Sequence, residues 1–210
     1  MIGHALAVAR RPVARENWDR LIAIGFAIGS ACFFIGPFPG FVEVAGEGAD
    51  GVVFFVGSLF FTFAAGLELR EGTLRLGRWA SNPSWWSAAI QFAGTLLFNV
   101  NTYNAMRDGL STHQENRLVF APDLLGSACF LASGVLAFRA ATGDEARMAA
   151  VNLAGCVLFG ISALASYVVP STGSVLDLAA VNWCTSLGAL CFFVGALMLL
   201  PRKSTVLKEA

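Results

Sequence analysis

The chain has 210 residues, no net charge, and a composition that is 56% hydrophobic and only 13% charged. Its few charges lie almost wholly between long apolar runs, a pattern that excludes a soluble core and marks a polytopic membrane protein. Neutrality also removes the basic surface that nucleic acid would require.

Residues 1–20 carry Arg10, Arg11, Arg15 and Arg20 with Pro12, and read as a basic cytoplasmic tail held near anionic headgroups. Six stretches then reach the length, near twenty residues, that crosses a hydrocarbon core about 30 Å thick: 21–38, 51–69, 86–106, 122–138, 149–169 and 177–200. The first is the shortest and ends at Pro37 and Pro39. Trp18-Asp19-Arg20 flanks it and no small-x-small cleavage site follows, so it is read as a retained helix and not as a signal peptide. Residues 68–80 mix three arginines with Leu69, Leu74, Leu76 and Trp79, which suits either a cytoplasmic loop or a helix lying flat on the inner leaflet; Gly72 and Gly77 favour the loop. The predicted fold is all-α. A six-helix membrane domain spans 21–200, with halves at 21–106 and 122–200, and 201–210 form a cytoplasmic tail.

Lysine and arginine fix the orientation. Twelve lie in the two tails and in the second and fourth loops, and only Arg107 and Arg117 lie in the others. The positive-inside rule then places both termini in the cytoplasm of a multi-pass inner-membrane protein. Trp18, Trp79, Trp85 and Trp86 fall at the predicted cytoplasmic edge, and Tyr103 and Tyr167 near the outer edge.

Gly29-Ser30-Ala31-Cys32-Phe33 recurs letter for letter as Gly126-Ser127-Ala128-Cys129-Phe130, and Gly-x-x-x-Phe occurs in every apolar segment, at Gly57/Phe61, Gly94/Phe98, Gly155/Phe159 and Gly188/Phe192 as well. Residues four apart share a helix face, where glycine admits a neighbouring backbone and phenylalanine fills the space beside it. Pairing the first three glycines with the last three gives offsets of 97, 98 and 94 residues. Duplication of three helices would yield a 3+3 inverted repeat about an axis in the membrane plane. Convergent helix packing and a repeated two-helix hairpin are the alternatives.

Glu16-Asn17-Trp18-Asp19-Arg20-Leu21-Ile22, Ile28-Gly29-Ser30 and Phe54-Phe55-Val56-Gly57-Ser58-Leu59-Phe60-Phe61 together resemble the YrhK-like domain. That domain is a two-helix membrane hairpin with a Glu-Asn-x-x-Arg opening and a Gly-Ser-x-x-Phe signature in each helix. The resemblance covers about residues 16–71 and implies a bacterial inner-membrane protein; it carries no catalytic residue, substrate or cofactor to this chain. Glu115-Asn116-Arg117 echoes the opening but departs from it, because the arginine follows the asparagine directly.

Function is sought in the polar residues within the helices, each of which needs a partner or water in the bilayer. Gln91, Thr95, Asn99 and Thr102 follow one stripe of the third helix, with Asn152 and Asn182 as candidate partners on the fifth and sixth. The stripe either bonds helix to helix or lines a wet path. His4 and His113 lie outside the spans, and five cysteines lie within them with no Cys-x-x-Cys pair. Glu68 and Asp123 fall at helix ends, where caps and ion pairs explain them. No catalytic, cofactor or metal signature emerges, so an enzyme is not expected. The expectation is a structural, sensory or partner-binding bundle, in contact with the lipid bilayer and with a second copy or another membrane protein. The alternative is a facilitator or transporter of a small uncharged solute.

Reporter fusions after Ala210 and within residues 39–50 are expected to report opposite sides of the membrane, with the C-terminal fusion cytoplasmic. Both fusions on one side would remove the six-span topology.

Overall fold

The computed structural model describes the backbone of residues 2–38, 40–76 and 82–200, and the side chains from residue 17 onward within those ranges, Glu47, Arg75 and Leu76 excepted. Arg10, Arg11, Arg15, Arg78, Trp79 and the tail 201–210 lie outside the described side chains. Six long helices dominate: α1 (Ile2–Ile35), α3 (Glu47–Leu76), α4 (Pro83–Ala105), α6 (Ala121–Ala140), α7 (Gly143–Ala165) and α8 (Leu178–Leu199). Shorter pieces join them: α2 (Phe41–Ala45), α5 (Thr112–Glu115) running through a π-helical turn at Asn116–Phe120 into α6, and a two-stranded hairpin of β1 (Val168–Val169) and β2 (Ser174–Val175).

Five of these helices are long and apolar enough to cross a membrane: α1 over Asn17–Ile35, α3, the run from α5 through α6, α7 and α8. The sixth, α4, is 23 residues long but more polar, holding Gln91, Asn99, Asn101 and Asn104. It starts sharply: Pro83 occupies the first turn, and the Asn82 side chain accepts from the Ser84 N–H at 2.9 Å. Asp177 caps α8 in the same way, through the N–H of Ala180.

Helix α1 begins at Ile2, so the residues read as a basic tail are helical and run on into the first span. One local expectation changes. The loop expected over 68–80 is helical as far as Leu76, and 77–81 lie outside the described residues. A single interior glycine costs a helix only about 1 kcal/mol, and the last turns of α3 gain contacts that offset Gly72. Thr73 donates to the Leu69 carbonyl and accepts from the Trp85 indole at 2.9 Å, tying α3 to the start of α4. The Arg70 guanidinium stacks 4.8 Å from the Trp18 ring.

The long helices form a closed ring in sequence order. α1 packs on α3, α3 on α4, α4 on α6, α6 on α7, α7 on α8, and α8 returns to α1. Within it the glycines meet in pairs. A Cβ on Gly29 would lie 2.9 Å from both the Gly57 carbonyl oxygen and the Phe61 ring, while Gly57 faces Cys32 and Phe33. Gly94 and Gly126 meet each other's carbonyls at 3.0 and 3.1 Å, facing Phe130 and Phe98; Gly155 and Gly188 do the same at 3.0 and 3.1 Å, facing Phe192 and Phe159. Residues ahead of one glycine meet residues at or beyond the phenylalanine of its partner, Phe26 with Phe61, Ser87 with Ser133 and Asn152 with Gly195, so each pair runs antiparallel. The bundle is therefore three hairpins, α1/α3, α4/α6 and α7/α8.

The 3+3 overlay does not fit this ring. A half-turn about an axis perpendicular to the bundle reverses the sense in which the ring runs. If it carries α1 onto α6 it carries α3 onto α4, and not onto α7. The repeating unit seen in the contacts is the hairpin, and the glycines pair within it.

Close approach makes the paired glycines sensitive to a single methyl. Gly94→Ala, whose Cβ would lie 2.8 Å from the Phe130 ring, is expected to destabilise the bundle by ~1 to 3 kcal/mol. Gly160→Ala, with nothing within 4 Å, is expected to be neutral or slightly stabilising. Unfolding midpoints in detergent compare them, and equal midpoints would overturn this packing.

Candidate functional site

Six phenylalanines, one from each long helix, occupy the centre of the ring and are all at least nine-tenths buried. Those of the first helices form one triangle: Phe33–Phe98 at 6.4 Å between ring centroids, Phe98–Phe159 at 6.1 Å and Phe33–Phe159 at 5.8 Å. Those of the second helices form another, Phe61–Phe130 at 6.3 Å, Phe130–Phe192 at 5.8 Å and Phe61–Phe192 at 6.0 Å. Each hairpin links the triangles through its own pair, at 5.6 Å for Phe33–Phe61, 4.9 Å for Phe98–Phe130 and 5.2 Å for Phe159–Phe192. These nine contacts are the nine edges of a triangular prism, most of them edge-to-face, the favoured geometry for aromatic quadrupoles. Three similar hairpins around one axis produce this arrangement without further specification.

A cavity opens on each side of the prism. The broader one, about 470 Å³, has Phe33 and Phe159 at its floor and lies toward α2 and the β-hairpin. The narrower one, about 140 Å³, has Phe61, Phe130 and Phe192 at its floor and lies toward Trp18 and the end of α3. Counted from the glycines, the same positions of each hairpin line them. Three residues before the first-helix glycines stand Phe26, Gln91 and Asn152, all on the narrow cavity. Three before the second-helix glycines stand Phe54, Asp123 and Thr185, all on the broad one. Seven before the same glycines are Asp50, Val119 and Val181, again on the broad cavity, and eleven after them are Glu68, Ala137 and Leu199, on the narrow one. The scaffold repeats while the chemistry does not: hairpin one supplies phenylalanine at both positions three before its glycines, and hairpins two and three supply polar groups.

The expected stripe on the third helix divides among these features. Gln91 lines the narrow cavity and accepts from Ser133, which also bonds Ser87 at 3.0 Å. Thr102 lines the broad cavity and is within 3.0 Å of the Ser58 hydroxyl. Thr95 is fully buried and donates to its own helix at Phe92, and Asn99 donates to Thr62 of α3 at 2.9 Å. Asn99 thus belongs to the α3/α4 seam, and neither residue lines either cavity. Asn152 lines the narrow cavity, its Oδ1 pressed against Gly195. Asn182 is half-buried on α8 and lines neither cavity.

Sequence reasoning missed Asp50, Ser162, Ser166 and Thr185, and misread Glu68 and Asp123 as helix-end residues. Asp123 caps nothing, because the π-turn leads helix directly into α6; its carboxylate instead accepts from the Ser166 hydroxyl on α7 at 3.3 Å. Ser162 and Thr185 share a hydrogen bond of 2.7 Å between α7 and α8. Asn116 holds the rim by pairing with the Val168 backbone, donating to its carbonyl at 2.7 Å and accepting from its N–H at 2.9 Å. The signal that would have found these residues is their fixed distance from each repeated glycine. The five cysteines are free thiols, and among the described residues no cluster of histidine, cysteine and carboxylate could hold a metal. No protein-family model, curated protein or solved structure matches the chain.

In a cysteine-depleted background, Ser162→Cys is expected to react with a membrane-impermeant thiol reagent from one face of the membrane only and Asn152→Cys from the other only. Thr95→Cys is expected to resist both. Labelling of Ser162→Cys and Asn152→Cys from the same face would show that the prism does not separate the cavities.

Proposed function

We propose that this protein is a passive facilitator for a small solute that is uncharged while it passes the phenylalanines, and that it works as a six-span bundle in a bacterial inner membrane with both termini cytoplasmic. The observation that carries the reading is the pair of partly polar cavities lying on one axis, on opposite sides of a single aromatic barrier. A bundle built only to pack would gain nothing from leaving amides, hydroxyls and carboxylates around 470 Å³ of space, since each costs free energy unless solvated or bonded.

The sixth span is α4. Its polar residues point at the cavities and the α3 seam, while Trp86, Leu96, Val100 and Tyr103 form its exposed side. A helix that is polar inward and apolar outward can stand in lipid although its average hydropathy is low. The aromatic groups agree with the orientation, with Trp18, Trp85 and Trp86 near one end of the bundle and Tyr103 and Tyr167 near the other. The stretch resembling the YrhK-like domain is the first hairpin, and we read the other two as diverged copies of it. Successive first-helix glycines are 65 and 61 residues apart and second-helix glycines 69 and 62, a repeat loosened by unequal connections.

Proteoliposomes holding the full chain are expected to shrink and reswell faster than empty ones in a hyperosmotic pulse of a small neutral solute such as glycerol, formamide or methylamine free base. The double variant Phe98→Ala/Phe130→Ala, which removes one vertical edge of the prism, is expected to raise that rate by about tenfold, since two rings with edge contacts worth roughly 0.5 to 1.5 kcal/mol each are lost. Rates equal to empty liposomes for both proteins would reject the facilitator and leave a packing or partner-binding bundle.

A further inference from the structure

The broad cavity has a wall chemistry that selects a ligand class. One side is aromatic, from Phe33, Phe54, Phe120 and Phe159. The other side is polar, and its hydroxyl donors are already committed within the protein. Asn101 Nδ2 donates to the Val119 carbonyl at 2.9 Å, and the Thr102 hydroxyl donates to Phe98 at 2.8 Å. Ser162 donates to the Val181 carbonyl at 3.0 Å, which leaves the Thr185 hydroxyl to donate to Ser162. Ser166 has one proton for two acceptors, Ala163 and Asp123.

Asn101 keeps one N–H and Arg107 most of its guanidinium donors, so the capacity left unmet away from Arg107 is mainly acceptor capacity. An ionised carboxylate has about four lone-pair sites. Asp123 has one bond, the weak one from Ser166. Asp50 lines the cavity; its Oδ1 is buried against Gly36 with no partner among the described residues, which leaves Oδ2 as the oxygen toward a ligand. In the other two hairpins the position of Asp50 is held by Val119 and Val181, so packing does not require a carboxylate there. Arg107 and Glu115 also line the cavity; Arg107 is exposed and bonded to Asn104.

A ligand that fits must bring several donors and a positive charge to Asp50 and Asp123 and a short apolar body to the phenylalanines. A guanidinium is planar and wants a paired, coplanar carboxylate, whereas an ammonium bonds acceptors from several directions. We propose that the broad cavity is a binding site for a small primary alkylammonium ion, its –NH3+ held by Asp50 and Asp123 and its alkyl group against Phe33, Phe54 and Phe159. This deepens the facilitator reading by naming its solute class. An amine reconciles the carboxylates with uncharged passage, because R–NH3+ becomes R–NH2 on handing its proton to a carboxylate, which becomes the acid.

The test uses the full chain in phosphatidylcholine nanodiscs, with thermal unfolding midpoints titrated against ethylammonium, acetate and ethanol. Ethylammonium is expected to raise the midpoint saturably, and acetate and ethanol are not. Asp50→Asn and Asp123→Asn are each expected to weaken the ethylammonium response by about tenfold or more, the usual consequence of losing a charge-assisted bond. Glu43→Gln, which removes an exposed carboxylate on α2, is expected to leave it unchanged. Equal responses to ethylammonium and acetate, or an ethylammonium response that survives both aspartate variants, would overturn the proposal; should a variant fail to fold, the selectivity of the unmodified chain decides. Repeating the titration with phosphatidylethanolamine in the discs separates the sources: a lost response assigns the ammonium to the lipid headgroup, and a retained one to a free amine. Binding is read here without transport, so ethylammonium binding with no proteoliposome flux rejects only the facilitator, and flux without binding rejects only this site.

Discussion

Each hairpin is set by two glycines whose backbones lie so close that the carbonyl of one occupies the space a side chain of the other would need. In a bilayer, where lipid is as apolar as leucine, this kind of dispersion contact is what draws helices together. It also fixes the axial register. With the glycines level, the phenylalanine four residues on from each lies over its partner's glycine, and three such hairpins closed into a ring bring six rings to one place. The prism is thus a consequence of one local contact made three times, and the cavities are what remains above and below it.

The repeat constrains backbone and packing while leaving the axis-facing positions free to diverge. Hairpin one fills its positions with Phe26 and Phe54; hairpins two and three place Gln91, Asn152, Asp123 and Thr185 there. Each vestibule therefore has an apolar wall and a polar wall, the usual character of a small-molecule site, where apolar surface supplies most of the contact and a few polar groups fix orientation. The same divergence explains α4. Its low hydropathy comes from residues that serve the interior, and its outward face is as apolar as its neighbours'.

The helices and the glycine faces were legible in the sequence because both rest on local patterns: run length for the spans, a spacing of four for the shared face. The order of the repeat was not. Offsets of 97, 98 and 94 are more uniform than the hairpin spacings, since unequal loops, among them the turn between α6 and α7 and the β-hairpin between α7 and α8, fall inside the hairpin series. Only spatial neighbours reveal that Gly29 meets Gly57 and not a residue of the second half. Site residues were found where polarity interrupted an apolar run, as at Gln91, and missed where it fell near a helix end, as at Asp50 and Asp123. End position alone does not distinguish a cap from a residue one turn further in, facing the axis. The π-turn ahead of α6 makes that difference for Asp123.

If the chain is the facilitator proposed above, the way a solute would pass the prism follows from the connectivity of the rings. The glycine contacts leave little freedom for the helices to separate, so the accessible motion is rotation of a phenylalanine side chain. Every ring touches three others of the prism, and each such contact is worth roughly 0.5 to 1.5 kcal/mol beyond the area it buries. Swinging one ring aside therefore costs about 1.5 to 4.5 kcal/mol, and states a few kcal/mol above the ground state are populated at roughly 0.1 to 10%. A barrier of that height closes the path most of the time without sealing it permanently. It also excludes ions, since an opened aromatic constriction offers no ligands to replace their water. On that reading the carboxylates in the vestibules and the uncharged passage between them would be two parts of one arrangement: charge would be held at the mouths, and only what has shed its charge would meet the rings.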